Sequence, residues 1–137
     1  MTVRLPAQVG ERLAVWSAAE HPLEACGLLL GERTEGEFRV SRAVLAANVA
    51  EGPRTRRYEV APGDLVSADR AARAAGLEIV GVWHSHPERP ARPSEHDRKG
   101  AYPGWTYLIL GADGELTAWR LRDEELVPQV LVTFDET

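Results

Sequence analysis

Residues 77–87 read LEIVGVWHSHP. Leu77–Trp83 is a near-continuous apolar run, the pattern of a central strand buried on both faces. Such a strand needs a layer on each side, so this stretch predicts an α/β chain. The other elements follow outward from it. Ala25–Gly31 (ACGLLLG), with glycine on both sides of its leucines, reads as a second buried strand. Upstream, Val3–Leu5 is a short strand and Pro6 suits a helix start, where its missing N–H costs nothing. From Ala7 to about Ala19, Val9, Leu13 and Trp16 recur at helical spacing, until His21-Pro22 ends the helix. Glu35-Gly36 is a turn, and Phe38–Val49 is the partner strand. Residues 50–57 form a polar loop, and Tyr58–Val60 is extended. Pro62-Gly63-Asp64 opens a second helix that runs to about Ala75 and stops at Gly76. Beyond the histidines, a Pro- and Arg-rich loop leads to a short helix at Ser94–Lys99. Trp105–Leu110 is a strand, Asp113-Gly114 a hairpin turn, and Leu116–Leu121 pairs back. Glu125–Phe134 is the last strand, with Pro128 at an edge or bulge. The sum is a mixed sheet with two main helices and one short one.

Composition sets limits on the chemistry. At 137 residues the chain fits one domain, 1–137, and its 44% hydrophobic and 27% charged residues are those of an ordinary globular protein. Cys26 is the single cysteine, so an intrachain disulfide and a cysteine-rich zinc finger are both excluded. Any metal must rest on His, Asp or Glu. A net charge of −5 lacks the basic footprint of a duplex-binding protein, so no nucleic-acid partner is expected. The first residues have no signal-peptide h-region, and no apolar run approaches the ~20 residues of a membrane span. A cytoplasmic protein is expected, without membrane contact. The sequence carries no signal for oligomeric state.

The informative constellation is His84-x-His86, seven residues, then Ser94-x-x-Asp97. Histidines at i and i+2 on a strand point to one face, so a single ion can take a nitrogen from each. They stand at a strand end, where open α/β sheets place ligand sites. Asp97 is the natural third ligand, and the loop from Pro87 to Pro93 can fold the short helix back over the strand end. Two imidazoles and a carboxylate leave a zinc ion an open fourth position for water, whose pKa falls to about 7. A hydrolase then needs a carboxylate as general base. Glu24, just before the second buried strand, is the candidate, although spacing alone does not bring it to the metal. Plainer readings stay open. A His pair on a strand is often structural, and Ser94-x-x-Asp97 also has the form of a capping box. His96 is adjacent to Asp97 on a helix and points about 100° away, so it is not a ligand. His21 reads as a helix-end residue, Cys26 as a small buried side chain, and Glu88 as a solvent-facing loop residue. A non-haem iron site also uses two His and a carboxylate, but no co-substrate site is visible.

The whole pattern resembles the JAMM motif of the MPN-type (MPN+) metallopeptidases. His84-Ser-His86-Pro, seven residues and Ser94-Glu-His-Asp97 match its core. Pro22-Leu-Glu24-Ala-Cys-Gly-Leu-Leu-Leu-Gly31 is similar to its glutamate segment. Tyr58-Glu-Val-Ala-Pro-Gly-Asp64 and Tyr102-Pro-Gly-Trp-Thr-Tyr-Leu-Ile resemble its later segments. The resemblance implies a cytidine-deaminase-like α/β fold and one zinc ion per chain, held by His84, His86 and Asp97. It implies Glu24 as general base and Ser94 as a stabiliser of the tetrahedral intermediate.

Large ubiquitin-removing members carry two insertions around the site, and this chain looks short in both places, like the compact prokaryotic members. Those act on small ubiquitin-like sulfur carriers: they trim residues after Gly-Gly, release a C-terminal cysteine adduct, or undo conjugates. Zinc-dependent peptide or isopeptide hydrolysis of such carriers is therefore the expected function. Arg54, Arg56 and Arg57 are candidates to attract an acidic carrier, or are simply a solvated loop. The alternatives are hydrolysis of cell-wall or phage-tail peptides, and a non-catalytic assembly module, for which an intact Glu24 would have no use.

Overall fold

The computed structural model describes residues 1–136. In chain order the elements are β1 (Thr2–Pro6), α1 (Ala7–Glu20), β2 (Cys26–Thr34), β3 (Glu37–Ala46), α2 (Pro62–Ala74), β4 (Glu78–Ser85), α3 (Glu95–Lys99), β5 (Thr106–Leu110), β6 (Leu116–Arg122) and β7 (Glu125–Phe134). The chain is thus mixed α/β with three helices, as its apolar pattern predicts. The strands run β1-β3-β2-β4-β5-β6-β7 and close into a ring, because β1 pairs in parallel with both β3 and β7.

The two apolar runs become adjacent central strands. Leu29 of β2 and Val80 and Trp83 of β4 face a core shared with Val9 and Leu13 of α1. Leu28, Leu30 and Val82 face a second core with Ala68 and Ala72 of α2. Burying each leucine removes it from water for about 1.5–3 kcal/mol, so both helix layers are held by the same strands. The glycines of ACGLLLG have a shared cause. A Cβ on Gly27 or Gly31 would stand 1.9 Å from a carbonyl oxygen of β3, so only glycine permits this approach.

Several boundaries move. β4 runs to Ser85, which puts His84 inside the strand and His86 one residue past it. β3 ends at Ala46, short of the expected Val49, and Asn48 instead makes a single bridge to Val60. Pro128 pairs only with Trp119 of β6, and the pairing of β7 with β1 begins at Val130. The strand therefore changes neighbours between Gln129 and Val130, so its proline sits near the end of the β6 pairing, where an absent N–H is tolerated. Among the described residues, no helix is long and apolar enough to cross a membrane.

Candidate metal centre

The centre is built where β2 and β4 run antiparallel. Their register pairs Cys26 with His84, so two residues further along Glu24 stands across from His86. Ser85 fastens this junction. Its hydroxyl accepts the Ala25 N–H at 2.9 Å, and its own N–H donates to the Ala25 carbonyl at 3.0 Å. The His86 N–H donates to Leu110 O at 2.8 Å, anchoring the strand exit to β5. The loop 87–93 then returns α3 over the strand end, bringing Asp97 to the histidines.

Glu24, His84, His86 and Asp97 each offer a ligand atom within 4.8 Å of the others. All four residues are 4% exposed or less. His84 Nε2, His86 Nε2 and Asp97 Oδ2 form a triangle with every edge 3.1 Å. Ligands at about 2.0–2.1 Å from a tetrahedral zinc stand roughly 3.3 Å apart, so this triangle accepts one ion with little movement. The protonation pattern agrees. Pro90 O can only accept, so the His86 Nδ1 that meets it at 2.8 Å carries a proton, which leaves Nε2 as the ring atom that would face an ion. Two carboxylates buried so closely also require positive charge nearby. The donor set therefore fits a divalent cation.

The electrostatics separate the two acids. Burial alone would raise Asp97, but the charge of His84, hydrogen bonds from both histidines and the Ser94 N–H pull it well below the usual carboxylate range. Glu24 goes the other way: burial raises its carboxyl, against the opposing pull of His84, His86 and Arg89. Oε1 of Glu24 has no partner among the described residues. Burial also pushes the Cys26 thiol up to about 12, so it is no thiolate nucleophile at neutral pH.

Ser94 caps α3 as its sequence form suggests: its hydroxyl accepts the Asp97 N–H at 3.1 Å, while its N–H donates to Asp97 Oδ2 at 2.9 Å. His96 and Glu88 are exposed, as expected of a non-ligand and a loop residue. Arg54, Arg56 and Arg57 are exposed too, and their loop reaches the centre through its backbone. The Glu24 N–H donates to Arg54 O at 2.8 Å, and Asn48 Nδ2 bridges Glu24 O and Arg57 O.

Two participants were not read from the sequence. Tyr58 stacks on the His84 ring at 4.2 Å, and burial holds its phenol well above its ordinary pKa, so it remains neutral. Arg89, on the loop between the ligands, donates through Nη2 to Glu24 Oε2 and to Arg56 O. Only its place in a loop that must fold over the strand end pointed to it.

The family described as prokaryotic homologs of the JAB domain matches residues 6–122. The desampylase of Haloferax volcanii is 39% identical over 110 residues, covering 80% of this chain and 77% of that protein. A probable TtuB-protein conjugate cleaving protease of Thermus thermophilus is 38% identical, covering 69% of this chain and 60% of its own length. The solution structure of protein DSY2949 from Desulfitobacterium hafniense superposes with a TM-score of 0.85 at 27% identity, over 99% of this chain and 94% of that one.

Proposed function

The chain belongs to the family of prokaryotic JAB-domain homologs, and from that premise we propose that it is a zinc peptidase that hydrolyses peptide or isopeptide bonds at the C-terminus of small ubiquitin-like sulfur carriers. The observation that carries this reading is the buried cluster of Glu24, His84, His86 and Asp97. The names of the relatives, a desampylase and a conjugate-cleaving protease, point to the same substrate class. We read residues 1–137 as one domain of the cytidine-deaminase-like kind, a reading supported by the near-complete superposition.

His84, His86 and Asp97 would hold the ion. Bound zinc supplies Lewis-acid chemistry, lowering the pKa of a water to about 7 and polarising a carbonyl. The remaining work falls to side chains. Glu24, its carboxyl raised by burial, takes a proton from the attacking water at Oε1 and returns it to the leaving nitrogen. Ser94 serves twice. A hydroxyl has two lone pairs and one proton, so it keeps capping Asp97 while donating to the carbonyl oxygen as that oxygen gains charge. The ring of Tyr58 against His84 keeps water from one side of the ligand. Arg54, Arg56 and Arg57, exposed beside this centre, would attract an acidic carrier.

Incubation of the zinc-loaded chain with carriers extended beyond Gly-Gly, and with carriers joined to lysine, tests this by intact mass. Loss of the extension or of the conjugate is expected. No mass change in any carrier overturns the proposed substrate class.

A further inference from the structure

Arg89 is the one guanidinium in direct contact with the Glu24 carboxylate among the described residues. It is placed rather than adrift. Its loop is stiffened by Pro87, Pro90 and Pro93, and its carbonyl accepts the Ala112 N–H at 2.9 Å. Nη2 is engaged with Glu24 and Arg56, whereas Nε and Nη1 donate to nothing among the described residues. The side chain is 30% exposed, so a ligand can reach it. Each planar fork of the guanidinium, Nη2 with Nε or Nη2 with Nη1, joins a free donor to the engaged one, and such a fork is suited to a carboxylate once Nη2 is released.

The chemistry says which carboxylate. In the reaction above, Glu24 hands its proton to the leaving nitrogen. When the leaving group is a single amino acid, its own carboxylate carbon lies two bonds from that nitrogen, about 2.5 Å away. A base and a guanidinium in mutual contact match an amine and a carboxylate so closely joined. When the leaving group is a lysine side chain, four methylenes and a Cα separate the nitrogen from the nearest main-chain carbonyl group. Arg89 then has no such partner.

We infer that Arg89 is a specificity residue that binds the free α-carboxylate of a single C-terminal residue following the scissile bond, exchanging its Nη2 contact with Glu24 for the substrate. The inference rests on the proposed function and sharpens it. The chain is tuned to release one terminal residue from a carrier rather than to undo lysine conjugates.

The test uses a ubiquitin-like carrier whose Gly-Gly end is extended by one alanine, prepared with a free carboxylate and with a C-terminal amide. Calorimetry on the chelator-treated chain reads binding, and intact mass on the zinc-loaded chain reads cleavage. The wild type is expected to prefer the carboxylate about tenfold in affinity and in kcat/KM, the equivalent of one charge-assisted hydrogen-bonded pair. Arg89→Ala should erase the preference, and Arg89→Lys should restore part of it. If Arg89→Ala slows both forms equally, the residue only positions Glu24 and the inference is overturned. Equal treatment of both forms by the wild type overturns it as well. Neither form bound nor cleaved overturns the function on which the inference stands.

Discussion

Glu24 and Asp97 are both buried acids, yet their surroundings drive them apart, and that separation supports the roles proposed for them. Asp97 is held ionised by the histidines and the Ser94 N–H, as a ligand must be. Glu24 is raised by burial, as a group that takes and returns a proton should be. Glu24→Gln removes the base but none of the three proposed ligands. It should retain the metal and lose about 10²–10⁴ in kcat, read by metal analysis beside a cleavage assay. The sign of the Asp97 shift gives a pH prediction. A carboxylate lowered on folding contributes stability above its unfolded value near 3.8, and loses it as pH falls towards the folded value. In the metal-free chain the thermal midpoint should therefore drop below about pH 4. That component should be missing from Asp97→Asn, and an identical acid profile for the two proteins would refute the ion-pair account.

At the scale of elements, Ser94 of the α3 cap has an observed structural role beside its proposed chemical one. Ser94 caps the helix, and the same oxygen is free to donate to substrate. Ser94→Ala should cost about 1 kcal/mol of stability together with activity. Ser94→Asp keeps a cap acceptor without the hydroxyl proton, so it should recover stability in denaturant titration while cleavage stays low. Recovery of both would deny Ser94 its role at the carbonyl. The strands were legible because Val80–Trp83 and Ala25–Gly31 are buried on both faces and carry that fact in composition. The His84, His86 and Asp97 set was legible because it is local in sequence. Glu24 was legible as a residue but not as a neighbour, since its approach to His86 depends on the register of β2 against β4. Arg89 and Tyr58 were hidden for the same reason: an arginine contact and a ring stack leave no periodic trace.

Across the whole molecule, the closure of the sheet was the feature furthest from the sequence. It joins β1 to β7, from opposite ends of the chain, and no local pattern announces such a pairing. The ring positions β2, β4 and β5 side by side, and the centre sits on the strand ends they share. An ion bound only by the folded chain stabilises the whole fold through mass action. Zinc at a hundredfold excess over its Kd should add about 2.7 kcal/mol, a rise of roughly 5–15 °C in Tm that a chelator reverses. His84→Ala and Asp97→Ala should abolish both the rise and the bound metal, and unchanged metal content would remove them as ligands. The central claim, a buried centre that hydrolyses with Glu24 as its base, is tested most directly by one paired measurement. Wild type and Glu24→Gln, each assayed for metal per chain, are incubated with a carrier extended beyond Gly-Gly and read by intact mass. The account predicts one zinc in both proteins, with the extension lost only to the wild type; cleavage by Glu24→Gln at the wild-type rate would contradict it.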